Sequence, residues 1–137
     1  MRFVGRNLTY ANVMATIAVF IVLGGGAVAA IQSKSSKARP LWAVVSTDGS
    51  LVRGHGAESA KQPFGPGDGA YQVTFNRNVT GCGLVATLGR VNSASRNPDA
   101  GEIGVAYRHG DRRSVFVKTR ASDGGPGDSS FHLAVLC

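Results

Sequence analysis

Two patterns of hydrophobic and polar positions divide the chain. Asn7 to Ser33 is a run of 27 residues without a charge, and its strongest part, Val13 to Leu23 (VMATIAVFIVL), would be apolar on every face of a helix. From Leu41 onward the pattern changes to short apolar runs, several of them alternating with period two, separated by Gly, Asp, Asn and Pro. Such alternation predicts half-buried strands. The clearest case is AYQVTF, Ala70 to Phe75, which puts Tyr71, Val73 and Phe75 on one face and Gln72 and Thr74 on the other. Six more strands are expected: LWAVVS from Leu41, LVRG from Leu51, VTGCGLVATL from Val79 to Leu88, one through Ile103, Val105 and Tyr107, one through Val115 and Val117, and FHLAVLC up to Cys137. Asp48-Gly49 marks a hairpin between the first two. GHGAESAKQPFGPGDG reads as a long turn-rich connection, RVNSASRNPDAG as a polar loop and DGGPGD as an exposed turn. No ten-residue run in this region keeps a helical period. The expected fold class is therefore all-β, an antiparallel β-sandwich or jelly-roll-like domain of about seven strands preceded by one N-terminal hydrophobic helix.

The chain thus divides into a leader over 1–31, a polar basic linker over 32–40 (ending KARP) and a domain over 41–137. Arg2 and Arg6 precede the apolar run, and Ala27-Val28-Ala29-Ala30 supplies a small-residue cleavage signal, the pattern of a secretory signal peptide. The alternative is a retained transmembrane helix, since Val13 to Ile31 would span about 28 Å as a helix. Lys34, Lys37 and Arg39 balance Arg2 and Arg6, so flanking charge does not choose between them. Either way the domain is expected outside the cytoplasm, secreted or anchored to the cell membrane through its N-terminal segment.

The formal charge of +7 changes little, because five of those charges flank the apolar run. Residues 41–137 hold ten Lys and Arg against eight Asp and Glu, too balanced to call for nucleic acid as a partner. The two cysteines, Cys82 and Cys137, lie in no CxxC and beside no His cluster. In an exported domain such a pair reads as one disulfide, worth about 4 kcal/mol by loop closure; two buried free thiols are the alternative.

The leader string LTYANVMATIAVF followed by LGGGAVAA resembles the N-termini of a group of exported or membrane-anchored envelope proteins of high-GC Gram-positive bacteria, whose C-terminal parts vary. The resemblance implies the cell envelope and no particular activity. WAVVSTDGSLVRG with GAYQVTFNRNVTGC is similar to an exported domain that accompanies such leaders and, more distantly, to C1q-like and phage tail-fibre head β-sandwiches. That second similarity implies ligand-binding heads assembled as homo-oligomeric trimers.

Candidate chemistry is sparse. Arg108, His109, Arg112 and Arg113 crowd a hairpin tip and could hold an anion, whether a wall polymer or a lipid head group; a solvated turn offset by Asp111 is the plainer reading. His55, flanked by glycines, could serve a small exported hydrolase with a carboxylate such as Asp48, or simply end a strand. His132, alternating with Phe131 and Leu133, is expected to face solvent. Asp123 and Asp128 could offer oxygens to Ca²⁺ but read better as turn residues. Trp42, the only Trp, is a ligand platform or, more simply, a core or interfacial anchor. With no catalytic motif, no metal-ligand spacing and no cofactor signature, the sequence points to a non-enzymatic binding or interaction domain at the cell envelope.

Overall fold

The computed structural model describes residues 39–92 and 99–137. The leader and most of the linker lie outside the described residues, and the N-terminal helix expected there lies with them.

The described residues are all-β, with eight strands: β1 (Leu41–Val45), β2 (Leu51–His55), β3 (Ala57–Lys61), β4 (Ala70–Phe75), β5 (Gly83–Leu88), β6 (Gly101–Tyr107), β7 (Ser114–Ala121) and β8 (Phe131–Leu136). They form two antiparallel four-stranded sheets, ordered β2-β1-β8-β5 and β3-β4-β7-β6. The core is the set of inward positions that the alternation predicts. Val45 on β1, Tyr71, Val73 and Phe75 on β4, Val115 and Val117 on β7, and Phe131 and Val135 on β8 are completely buried. Tyr71 and Phe131 meet edge to face with centroids 5.0 Å apart, a favoured aromatic geometry. The Tyr71 hydroxyl donates to the Thr47 carbonyl, so the largest polar group in the core is satisfied.

The strand count exceeds the expected seven by one. AESAK, read above as part of a turn-rich connection, is β3. It has no apolar alternation because it is an exposed edge strand that gains its conformation from pairing with β4. Chain direction reverses between β2 and β3 at Gly56, which has φ of 72°. A side chain there would strike Leu41 Cδ2, so the bend that passes the chain from one sheet to the other requires glycine. The strand expected over Val79 to Leu88 is shorter than its apolar run. Val79 to Cys82 is a turn closed by the Cys82 N–H on the Val79 carbonyl (3.1 Å), and β5 starts at Gly83.

Cys82 and Cys137 form a disulfide with Cα atoms 4.5 Å apart. It ties the start of β5 to the end of β8, the strand that β5 pairs with.

Candidate functional site

Strand parity fixes what the first sheet shows to solvent. Leu41, Ala43 and Val45 of β1 and Phe131, Leu133 and Val135 of β8 point inward. Trp42, His132, Ala134 and Leu136, and Val85 and Thr87 of β5 therefore take the outer face, as does Val44, which is covered and buried there. The register lines them up across the sheet. Trp42, Ala134 and Val85 form one row, and Arg53, Val44, His132 and Thr87 form the next. Trp42 and Val85 stand two strands apart, about 9.6 Å, with the small Ala134 between them. The result is a groove of about 360 Å³ with Trp42 and Val85 as walls and Ala134 as floor. The polar row runs along one side of it.

Both large walls remain accessible: Trp42 is 37% exposed and Val85 56%. Trp42 is thus not a core residue. It follows the inward-facing Leu41 by one position, and period two turns it out.

His132 and Arg53 hold the groove's polar side in place. The His132 Nε2 donates to the Arg90 carbonyl (3.0 Å), and an Arg53 guanidinium N–H donates to the Val91 carbonyl (2.6 Å). The segment after β5 is thereby clasped against the outer face and closes that side. Arg90 itself pairs with Asp99 at 3.1 Å. His132 is half-buried rather than fully solvent-facing because this segment covers part of its ring.

The basic hairpin tip, residues 108–113, joins β6 to β7 and is braced internally. The Asp111 carboxylate accepts the Arg113 N–H (3.0 Å) and the Ser114 hydroxyl (2.5 Å). These bonds, the Ser114 hydroxyl foremost, hold its carboxyl below the usual carboxylate range. The guanidinium of Arg108 lies 5.8 Å and 5.5 Å from the ring centroids of Phe64 and Phe116 on the outer face of the second sheet. Arg113 pairs with Glu58 at 3.3 Å. His109 and Arg112 stay exposed. The four residues thus share a loop without converging on one point.

The other candidates are set apart. His55 ends β2, whereas Asp48 lies in the turn before its first residue, at the opposite end of the sheet. Asp48 is engaged by the hydroxyl (2.6 Å) and N–H (3.0 Å) of Ser50, which lower its pKa. That is the wrong direction for a base near neutrality. Asp123 accepts the Gly125 N–H (2.9 Å), and both Asp128 oxygens accept backbone N–H groups, from Gly67 (2.6 Å) and Gly69 (2.8 Å). Among the described residues no group of three or more His, Cys, Asp or Glu is placed to hold a metal ion.

The groove was invisible to sequence reasoning because its members come from four strands whose order is non-sequential. The available signal was the alternation of His132, Ala134 and Leu136 against a buried set, which marks a solvent face with a small residue in its middle. A scan against protein-family models, a search of curated proteins and a search of solved structures each found no match.

Proposed function

We propose that the domain is a non-enzymatic binding module displayed outside the cytoplasm, secreted or tethered by the leader, and that the Trp42 groove is its ligand site. The observation that carries this reading is the half-exposed lone Trp facing Val85 across a one-alanine floor, beside a row of polar side chains. A partly exposed indole on a rigid sheet costs little ordering on binding and offers a flat apolar face. Thr87 and Arg53 alongside supply hydrogen-bonding groups. A ligand unit with one apolar face and a polar edge suits both features. A sugar ring is such a unit, and the cell envelope that the leader points to is built largely of glycans. The Cys82–Cys137 disulfide is compatible with the oxidising side of the membrane.

Because Trp42 is the only Trp in the chain, its emission reports the groove directly. Titration with soluble envelope glycan fragments is expected to give a saturable change in Trp42 emission. Calorimetry with Trp42→Ala should show affinity about 10–30-fold lower, the scale of losing a buried aromatic anchor. A flat emission titration, or wild-type affinity in Trp42→Ala, would reject the assignment.

A further inference from the structure

Strand directions give the sandwich two unlike ends. The Leu41 end carries the start of β1, the Gly56 bend, the loops over 76–82 and 108–113, and the disulfide. The opposite end carries the turn over 46–50, the loop over 62–69, and the segments after β5 and β7. The carboxylates divide unequally between them. Asp48, Asp68, Asp99, Glu102, Asp123 and Asp128, six of eight, lie at or beside the far end. The two at the Leu41 end are already occupied, Glu58 by Arg113 and Asp111 by its own turn. Arg39, Arg77 and Arg112 are exposed there, and no ion pair engages them among the described residues. Leu136 and Tyr107 sit at the same end, 53% and 46% exposed.

We propose that the Leu41 end of the domain docks on the anionic head groups of a lipid bilayer through Arg39, Arg77 and Arg112, with Leu136 and Tyr107 at its apolar rim. The inference rests on the reading of the leader as a membrane span, and it goes beyond the groove, which is lined by Trp42, Val85 and Ala134 on the outer face of the first sheet. Three observations favour a bilayer over a soluble polyanion. Arg39 follows the charge-free run by six residues, a tether of at most about 20 Å when extended. The rim is apolar, which head-group contact rewards and a polyphosphate does not. The loops that bear Arg77 and Arg112 are joined to each other by backbone hydrogen bonds. The Val79 N–H donates to the Arg112 carbonyl (2.9 Å), and the Phe75 N–H donates to the Arg113 carbonyl (2.8 Å). The disulfide anchors the same end. Cations gathered at one end of the fold meet a surface potential together.

Hydrogen exchange on the full chain tests this, with vesicles of phosphatidylcholine alone or mixed with phosphatidylglycerol. The expected result is slower exchange in 76–82 and 108–113 with the anionic vesicles only. That protection should vanish in 0.5 M salt and fall roughly five-fold for each of Arg77→Gln and Arg112→Gln. Exchange in 46–50 and at Phe131 to Leu133 of β8 should stay unchanged, showing that the variants are folded. Equal exchange with both vesicle types, protection at the far end, or protection that survives in the double variant would overturn the proposal. The same protection from soluble polyphosphate without vesicles would overturn the lipid assignment. Flotation with phosphatidylcholine vesicles reports the leader alone, and Trp42 emission reports the groove alone, so each reading can fail separately.

Discussion

Asp128 shows how one side chain links distant parts of the fold. Its two oxygens accept N–H bonds from Gly67 and Gly69, about 60 residues earlier, and so pin the loop between β3 and β4 to the segment before β8. Gly69 has φ of 63°, and a side chain there would collide with the carbonyls of Thr119 and Gly127, so this junction admits only glycine. Burial pushes the Asp128 carboxyl up most strongly, but the Gly67 and Gly69 N–H donors, the Gln62 side chain and the Lys118 charge together outweigh it, and the net shift is downward. A carboxyl lowered in the folded state binds its proton less readily there than in the unfolded chain. It therefore contributes stability above the unfolded value near 4, and that stability is lost as pH falls below it. Asp48 and Asp111 are shifted the same way. Chemical denaturation is thus expected to show stability declining as pH falls below about 4, with a shallower decline in Asp128→Asn. An Asp128→Asn protein whose stability follows pH as steeply as the wild type would remove this residue from the account. The turn around Asp128 was legible in DGGPGD, because Gly and Pro announce it locally. Its partner was not, because nothing in a sequence marks which distant N–H groups a carboxylate will meet.

Among the elements, those with an internal apolar pattern were legible and those defined by their neighbours were not. AYQVTF and FHLAVLC fell where alternation placed them, with Tyr71, Val73, Phe75, Phe131, Leu133 and Val135 buried. AESAK carries no such pattern and becomes a strand only through its ladder to β4. The opposite error arose at Val79, which is buried as a strand residue would be but sits in a turn that brings Cys82 to Cys137. The disulfide itself followed from the lone pair of cysteines, and its place explains its use. β8 lies between β1 and β5, so its last residues must stay docked for β5 to pair along its full length. Cys137→Ser is expected to cost about 2–5 kcal/mol in denaturant titration. Exchange should quicken first at Leu136 and Gly83, the pair next to the lost bond, and least at Leu88 and Phe131. Uniform quickening along β5 and β8 would show that the bond acts on the unfolded chain alone.

For the domain as a whole, the groove lies on the outer face of the first sheet and the basic residues lie at its Leu41 end. Neither was legible as a unit. The sequence shows basic residues at Arg108 to Arg113 and a Trp at the head of the domain. Only the strand order reveals that Arg77 and Arg39 share an end with that loop, and that Val85 stands opposite Trp42. The surface pair of Arg113 with Glu58 occupies part of the charge at the basic tip. Arg112 stays exposed, and it shares its end with Arg39 and Arg77, which sequence reasoning had not grouped with it. The central claim is that the Trp42 groove binds a ligand, and amide NMR of the protein titrated with envelope glycan fragments tests it most directly. The account predicts shifts confined to Trp42, Val85, Thr87, His132 and Ala134 and their neighbours, saturating together. Shifts centred on the second sheet, or none at all at saturating glycan, would contradict it.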